Sequence, residues 1–512
     1  MKHKSVNSGR LGWEVVLFLA LYAIMPNYCA VELHSKLPLI TASRAVLVLM
    51  GIGLLIRQRG QLLNFKQFSL KSWNLLLTEN KLLRFGLFGY FIILTAVNVT
   101  FLTQTSEAIK QLFVIAAEEY ALVWMLALIL DSREKIVSAL KVLVLSSAAV
   151  AVLACVGCSI SYNPFQLLNT VSRNMLMSNY YRLGMLRAAA GFGHPVYYGA
   201  FCTVMFPLCM YFVEEGKTKP ERITYGVCLA LNFAGLVLSN SRGSMLALGC
   251  LGVIVIGIRL ATKSLKKLFT TYLPYGALAL AILVLVASFS PLGIRFLGQT
   301  MSSLVVNPPE TTVATEPAET TVVTEPTEPT VTEPSATEPS VTEPTVTEPS
   351  ATEPSVTEPV PTEPEPTEPK VDYGENANGL SSRIKQLTGI RWTLTQEPLF
   401  GFGPNCHARG LMAYMYYPGH WSHVKSFDVN LVAIIGQYGL VGLVAFLLQY
   451  GSLGLTLIRK KHRSDKLMHY LLLAFLAYML CLLSIANLDK TSWVLIGILI
   501  SLVNVMRKEQ TK

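Results

Sequence analysis

Long apolar runs dominate the chain, and short polar connections separate them. Each run holds about 20 residues, the length at which a helix crosses a hydrocarbon core about 30 Å thick. The apolar pattern predicts twelve such helices, at residues 12–31, 38–56, 84–103, 109–130, 135–158, 191–213, 222–239, 242–259, 268–289, 429–458, 467–486 and 489–506. We therefore expect an all-α polytopic membrane protein, with nine spans in residues 1–289 and three in residues 429–512.

The basic residues of the connections predict the orientation of these spans. Lys and Arg concentrate in cytoplasmic loops. Here they occupy the termini and alternate connections, at residues 57–81, 133–135, 217–222, 259–267 and 459–466. This placement is satisfied when both termini are cytoplasmic. Residues 290–428 then form one large extracytoplasmic loop.

Composition supports the membrane class and narrows the partners. The 512 residues are 52% hydrophobic and only 14% charged, whereas soluble domains carry roughly 25% charged residues. Residues 310–368 hold 14 Glu and no Lys or Arg, so the rest of the chain carries 42 basic and 18 acidic residues, a net charge of +24. Positive-inside placement accounts for this excess, so no nucleic-acid partner is predicted. Eight of the nine cysteines lie in or beside apolar segments, which argues against a disulfide framework.

A low-complexity repeat occupies residues 309–369, where Thr-Glu-Pro recurs. Proline removes helical hydrogen bonds, the glutamates repel one another, and no apolar core is available. We expect an extended, disordered spacer inserted in the outer loop.

The second part of that loop, residues 379–428, is expected to be structured and to carry the chemistry. Its candidate residues are Arg383, Arg391, Trp392, Asn405, His423 and Asp428. Arg383 and Arg391 are eight positions apart, close to two helical turns, which predicts a shared face if the stretch is helical. The aromatic segment 411–421 is typical of a membrane interface, and its rings are also able to stack on sugars.

Outward-facing arginines are unexpected under the positive-inside rule and therefore favour a function. Arg187 and Arg242 are two further examples outside the loop. Guanidinium groups bind phosphate oxygens in a bidentate manner and stay charged. The phosphates are either those of a substrate or those of ordinary lipids.

Intramembrane carboxylates form another candidate. Glu118 and Glu119 lie about nine residues into the fourth predicted span, where ionisable residues are candidates for function. They pair with Lys110 or an arginine, or they carry protons.

Other classes of chemistry have weak support in the sequence. The loop histidines His407, His420 and His423 lack the carboxylate or cysteine partners of a zinc site, and no phosphate-binding glycine loop is present. No metal, nucleotide or other cofactor is predicted.

Four segments in order resemble the O-antigen ligase/polymerase family of bacterial envelope proteins. Residues 187–200 read RAAAGFGHPVYYGA and are similar to the family's R…GxxHPNxxG element, and residues 238–247 read LSNSRGSMLA and look like its TxSRG/S turn. Residues 383–405 are similar to its RxxxW…PxxGxG element, and residues 426–442 look like the helix that closes the loop. The resemblance runs from about residue 180 to 445.

The chain departs from the family pattern at two places. Family ligases usually carry His-Asn where the loop re-enters the membrane, whereas this chain has Asp428 and Asn430, with His423 five residues upstream. Val196 stands where Asn usually follows His-Pro. The first difference leaves the catalytic base open between Asp428 and His423, and leans towards a polymerase or a Gram-positive-type relative over a lipid A-core ligase.

The resemblance implies a GT-C-like fold and a glycan transferase at the outer face of the bacterial cytoplasmic membrane. An undecaprenyl-pyrophosphate-linked glycan would donate its sugar chain to a hydroxyl of an acceptor glycan, lipid or wall polymer. Cations would stabilise the departing pyrophosphate and a base would take the acceptor proton. The expected substrate-binding residues are Arg187, Arg242, Arg383, Arg391, Trp392, Asn405 and Asn430. His194 would act in catalysis by orienting a polar network at the start of the sixth span.

Two other interpretations compete with the transferase. A lipid-linked glycan flippase or proton-coupled transporter would use Glu118, Glu119 and Arg44 along a pathway, although no internal repeat of broken helices is evident in the sequence. A surface-display anchor for the Thr-Glu-Pro segment is the third, but twelve helices are far more than an anchor needs.

Overall fold

The computed structural model of the chain describes residues 11–34, 38–62, 75–171, 181–182, 185–289, 380–417, 419–459, 465–486 and 489–510. The Thr-Glu-Pro repeat predicted to be disordered at 309–369 lies outside the described residues. So does the first part of the outer loop, residues 290–379.

The described part is mostly helical. Its long helices are α1 (Trp13–Ile24), α2 (Ala42–Leu62), α3 (Lys81–Thr100), α4 (Ser106–Ile129), α5 (Arg133–Ser159), α6 (Pro195–Glu215), α7 (Lys219–Ser239), α8 (Arg242–Ala261), α9 (Leu265–Ser288), α12 (Asn430–Ile458), α13 (Lys466–Cys481) and α14 (Asp489–Gln510). Two short helices, α10 (Leu380–Gln386) and α11 (Thr388–Gln396), precede α12.

Nine of these helices, in the part of the chain that is described, are long and apolar enough to cross a membrane. Three shorter apolar helices, α1, α2 and α13, lie within or close to the other three predicted spans. The all-α polytopic class is supported at this level, and the count of twelve spans and their orientation stay predictions.

Three antiparallel two-stranded hairpins accompany the helices, a detail that the apolar pattern does not predict. They pair β1 (Ala30–Val31) with β2 (Ile40–Thr41), β3 (Tyr181–Arg182) with β4 (Met185–Leu186), and β5 (Ala413–Tyr417) with β6 (His420–His423).

The helices divide into a packed centre and an apolar periphery. In their most apolar windows α6 and α14 are 78% and 83% buried, whereas α8 and α9 are 22% and 17% buried. Because lipid is as apolar as these exposed side chains, the outer helices need no protein cover. Glycine lets the central helices approach closely: a Cβ at Gly235 of α7 would lie 2.3 Å from the Tyr198 hydroxyl of α6.

Polar contacts also join the central helices. The Asn232 amide on α7 donates to Ser147 Oγ on α5 at 2.9 Å. Interhelical hydrogen bonds of this kind stabilise membrane helix pairs by about 1 kcal/mol.

One end of the bundle carries interhelical ion pairs. Arg133 pairs with Asp465, and Arg259 pairs with Glu214. Lys141 Nζ lies 2.5 Å from Glu221 Oε1. This is the end that the basic connections predict to be cytoplasmic.

The opposite end, where α6 and α8 begin, is called the site end below. Backbone contacts join its connections: the Ala188 amide donates to the Leu238 carbonyl at 3.0 Å, and the Asn430 amide donates to the Leu482 carbonyl at 3.2 Å. The first contact joins the segment before α6 to the end of α7, and the second joins the start of α12 to the segment after α13.

Two helices depart from regular α-geometry. Residues Val114–Ala121 of α4, which include Glu118 and Glu119, form a π-helical stretch. Helix α12 is interrupted at Gly439, which has φ 61° and ψ −156°. It also contains a π-helical stretch at Leu447–Gly451. Such irregularities are frequent at functional sites.

Candidate functional site

Arg187 holds the turn between α7 and α8. Its Nε donates to the Ser239 carbonyl at 2.9 Å and its Nη2 donates to the Asn240 carbonyl at 3.1 Å. Asn240 ends α7 in the left-handed region, with φ 46°, a conformation that asparagine tolerates better than most residues. The guanidinium therefore satisfies the carbonyl groups that a helix end leaves without partners.

His194 caps the start of α6 as a neutral ring. Its Nδ1 accepts the Val196 amide at 3.1 Å. Burial and, to a smaller extent, the positive charges of Arg187 and Arg383 together lower the pKa of His194 to about 4. Because Nδ1 is an acceptor, the proton of the neutral ring resides on Nε2.

Arg383 comes from α10 and lies over the first turn of α8. A Cβ added to Gly243 would be 3.4 Å from Arg383 Nη1 and 2.1 Å from Ser484 Oγ. Glycine at this position therefore lets α8, α10 and the segment after α13 meet. Arg242, the exposed first residue of α8, adds a second guanidinium where the helix dipole is already positive.

Asp428 faces the same arginine. Its backbone amide donates to Gln386 Oε1 at 3.0 Å, and Gln386 Nε2 donates back to Asp428 Oδ2 at 3.1 Å. Burial raises the pKa of Asp428, while the charge of Arg383 and the Gln386 hydrogen bond oppose that rise. A carboxylate with a raised pKa, held by two defined contacts, is suited to accept a proton.

The structure thus groups Arg187, His194, Arg383 and Asp428, with Arg242 beside them. We call these five residues the arginine–aspartate cluster. Gln386 was not singled out from the sequence, although it is three residues after Arg383 and such neighbours share a helical face. Gly243 belongs to the turn that carries the family resemblance, but Ser484 has no sequence signal of its own, because only the packing of three segments gives it a role.

Arg391 and Trp392 lie apart from this cluster. The stretch is helical as expected, but it breaks at Leu387 into α10 and α11, so the two arginines do not share one continuous helix. Arg391 is exposed, and within the described part no hydrogen bond or ion pair joins its side chain to the cluster. Trp392 packs against Trp421 with ring centroids 5.0 Å apart, and its Nε1 donates to the Leu411 carbonyl at 3.2 Å.

The remaining site candidates have local structural contacts. His423 is exposed on β6, paired with Ala413, and no hydrogen bond to its side chain occurs among the described residues. The backbone amide of Asn405 donates to Gln437 Oε1 at 3.3 Å, and Asn405 has φ 57°. The Asn430 amide group donates to the Ala486 carbonyl.

The glycine motif after α11 has a structural role. Residues 398–403 supply partners for backbone groups that the break in α12 leaves open. The four hydrogen bonds run from Phe402 N to Gly436 O (2.9 Å), Gly403 N to Gln437 O (3.0 Å), Leu440 N to Pro398 O (2.9 Å) and Val441 N to Leu399 O (3.1 Å). A Cβ at Gly401, where φ is +64°, would lie 2.7 Å from Gly439 N, so only glycine fits this approach.

A cavity of about 820 Å³ lies beside the cluster, between α1, α2, α3, α4 and α12. Arg44 on α2 pairs with Glu118 on α4 in its wall, which confirms the ion-pair alternative for that carboxylate. Lys110 Nζ and Glu107 Oε1, 2.7 Å apart, form a second pair in the same wall.

The loop histidines do not form a metal centre in the described part of the chain, where no three His, Cys, Asp or Glu side chains are grouped to hold an ion. His407 instead packs against Phe427, with ring centroids 4.9 Å apart, and burial lowers its pKa.

No protein-family model matches this chain, and a comparison with curated proteins finds no match.

Proposed function

We propose that the protein transfers a glycan from an undecaprenyl-pyrophosphate carrier to an acceptor hydroxyl at the outer face of the bacterial cytoplasmic membrane. The proposal takes the site end as the outer end and both termini as cytoplasmic. The observation that carries it is the position of Arg383, which faces Asp428 and neutral His194 beside the N-terminus of α8. A guanidinium thus lies near enough to a carboxylate for its charge to act on it, which supports the roles of leaving-group stabiliser and base.

The donor pyrophosphate would bind to the cationic side of the cluster. Arg383, Arg242 and the first turn of α8 supply positive charge, and the neutral His194 ring supplies an Nε2 proton as a donor. Arg187 is bound to two backbone carbonyls, so its role is to position the turn that carries Arg242. The positive charge would stabilise the leaving pyrophosphate as the sugar bond breaks.

Asp428 would act as the base. The acceptor oxygen forms a bond with the anomeric carbon, and its proton passes to the Asp428 carboxylate. The bond from that carbon to the pyrophosphate oxygen breaks, and the electron pair leaves with the pyrophosphate. Asp428 is favoured over His423 because it faces Arg383, whereas His423 is exposed on β6.

The outer residues would contact the glycan beyond the reacting sugar. Arg391 is exposed and Trp392 packs against Trp421, so a cation and two indoles lie on one short stretch of surface. Asn405 and Asn430 are engaged with Gln437 and with Ala486, so their part in the proposal is to shape the site around α12.

Substitution of the arginines tests the proposal. Arg383→Gln should lower transfer by at least about 100-fold, because loss of a charged donor to a transition-state anion costs ~3 kcal/mol. Arg391→Gln removes a cation proposed to contact the glycan, so it should lower transfer less, by about tenfold. Lys217→Gln, at an exposed position after the far end of α6, is the matched control. Unchanged glycan output from both arginine variants, with normal membrane insertion, would contradict the assignment.

Deletion of the whole protein tests the reaction class. Lipid-linked intermediates should accumulate on the outer leaflet, and surface polysaccharide should become short or absent. Accumulated single repeats would indicate a polymerase, and accumulated full-length chains would indicate a ligase.

A lipid-linked glycan flippase or proton-coupled transporter is the second candidate, and one observation favours it. Helix α12 is broken at Gly439 next to a cavity that contains Arg44, Glu118 and Glu119, and broken helices line the substrate sites of many transporters. In the deletion strain this function would leave the intermediates on the inner leaflet.

A further inference from the structure

The cavity beside the arginine–aspartate cluster has a charged upper wall. Arg44 and Glu118 form one ion pair, and Lys110 and Glu107 form another. Their side chains are 18–34% exposed, so polar atoms of both pairs remain accessible. Glu119, next to Glu118 on α4, adds a third carboxylate to the lining of the cavity.

The charges of this wall select against ionic ligands. An anion such as pyrophosphate would meet three carboxylates, and a free cation would meet two basic groups that are already paired. A hydroxyl both donates to a carboxylate and accepts from a guanidinium or ammonium group. Neutral, hydroxyl-rich ligands therefore suit paired charges better than ions do.

Unsatisfied polar atoms point to a ligand as well. Asn430 Oδ1 and His407 Nδ1 are buried without a hydrogen-bond partner among the described residues, and both residues line the cavity. Asn430 is 9% exposed. Buried polar groups are nearly always hydrogen-bonded, so two such atoms at the cavity indicate a hydrogen-bonding group that the described residues do not supply.

The inner part of the cavity is aromatic. Tyr90, Tyr438, Tyr450 and Trp493 line it, and the Tyr90 and Trp493 rings lie 5.5 Å apart. A mostly apolar floor with a few polar groups above it is the usual composition of a small-molecule site, and 820 Å³ falls within the usual size range.

The cavity adjoins the cluster through one segment of chain. Ser426, Phe427 and Asn430 line the cavity, and Asp428 of the same segment is hydrogen-bonded to Gln386 beside Arg383. A group bound against Ser426, Phe427 or Asn430 thus contacts residues that are next to Asp428, the proposed base, in the chain.

We propose that this cavity binds the acceptor, and that the acceptor is a neutral, hydroxyl-rich glycan. The inference rests on the proposed transferase and narrows its acceptor from glycan, lipid or wall polymer to one class. The anionic donor binds to the arginines, and the neutral acceptor binds between the two ion pairs and the aromatic floor.

Photo-crosslinking on the full chain in lipid nanodiscs tests the assignment. The probes are a diazirine derivative of neutral maltotriose, its sulfated form and a diazirine phospholipid, with labelled peptides mapped by mass spectrometry. Neutral sugar should label residues 106–119 and 430–450. The double variant Arg44→Gln/Glu118→Gln removes both charges of one pair without leaving either uncompensated, and it should weaken labelling about tenfold.

The double variant Asp131→Asn/Lys135→Gln is the matched control. It removes an ion pair with a 2.9 Å separation at the other end of the bundle, and labelling should be unchanged. Stronger labelling of the cavity by the sulfated sugar or the phospholipid than by the neutral sugar would overturn the assignment. Equal labelling by the neutral sugar in the unmodified protein and in both double variants would also overturn it. Binding of undecaprenyl pyrophosphate is measured separately with Arg383→Gln. If the unmodified protein does not bind undecaprenyl pyrophosphate, the proposed function is contradicted. That result would leave the glycan specificity of the cavity unaffected.

Discussion

At the scale of residues, three arginines of the same chemistry have three different surroundings. Arg187 donates hydrogen bonds to two backbone carbonyls. The charge of Arg383 acts on both Asp428 and His194. Arg242 is exposed at a helix N-terminus. Arg187 keeps its charge, but its donors are engaged with backbone carbonyls, so Arg383 and Arg242 are the two expected to bind an anion directly. The sequence predicts that all three matter, but residue type alone does not separate a positioning arginine from a binding one.

Asp428 leads to a prediction about pH. The transfer rate should fall on the acidic side as Asp428 becomes protonated, and we call this fall the acid limb. Because burial raises the pKa of Asp428, the acid limb should lie above pH 3.8, the ordinary pKa of aspartate. Gln386→Leu removes an amide that stabilises the carboxylate form, so the pKa rises and the limb should move to higher pH. The measurement is the transfer rate against pH. Gln396→Leu, at the end of α11, should leave the limb in place.

Asp428→Asn completes that test by removing the base without changing the size of the side chain. Transfer should fall by at least about 100-fold, the lower range for general-base catalysis. A variant that keeps its activity, or a Gln386→Leu profile that moves to lower pH, would exclude Asp428 as the base and favour His423.

At the scale of elements, the helix positions could be predicted and the helix defects could not. Nine described spans begin and end within a few residues of the apolar runs, because about 20 apolar residues have no other stable arrangement in lipid. The sixth span begins at Pro195, four residues later than predicted, since Gly193 is left-handed and His194 is the cap. The break at Gly439 depends on residues 398–403, about 40 positions away, so no local pattern could reveal it.

The docking of residues 398–403 into the α12 break gives an element-scale prediction. Gly439→Ala would place a Cβ 2.3 Å from the Leu399 carbonyl oxygen at a φ of +61°, and Gly401→Ala would clash with Gly439. Each should destabilise the protein by about 1–3 kcal/mol, the cost of a strained backbone conformation. Thermal unfolding in detergent measures the effect.

Gly249→Ala is the control for these variants. A Cβ at this position of α8 meets nothing within 4 Å, and alanine favours a helix more than glycine does. Its unfolding temperature should be equal to or higher than that of the unmodified protein. Loss of stability in all three variants would show that the effect is not specific to the docking contact.

At the scale of the whole molecule, two groups of charged residues lie at opposite ends of the bundle. The ion pairs Arg133–Asp465, Arg259–Glu214 and Lys141–Glu221 lie at the end that the basic connections predict to be cytoplasmic. The arginine–aspartate cluster and the cavity mouth lie at the other end. Which residues face outwards stays a prediction from the sequence. The sequence could not predict which of them meet, because Arg383 and Asp428 converge only through Gln386 and the turn at Gly243.

The acidic Thr-Glu-Pro segment gives the last prediction. Every residue of the cluster and of the cavity lies outside 309–369, so deletion of that segment should leave transfer unchanged. The connection from α9 to α10 would shorten from about 90 to about 30 residues, which lowers the entropy cost of loop closure by ~1 kcal/mol. The unfolding temperature should therefore stay the same or rise slightly.

Replacement of the segment by a Gly/Ser linker of equal length separates length from composition. If deletion abolishes transfer and the linker restores it, the segment acts as a spacer whose length matters. If neither variant is active, the glutamates or threonines take part in function, and the acidic repeat belongs to the substrate path. Activity in both variants is the result expected from a site built entirely by the arginine–aspartate cluster and the adjoining cavity, since neither draws a side chain from the repeat.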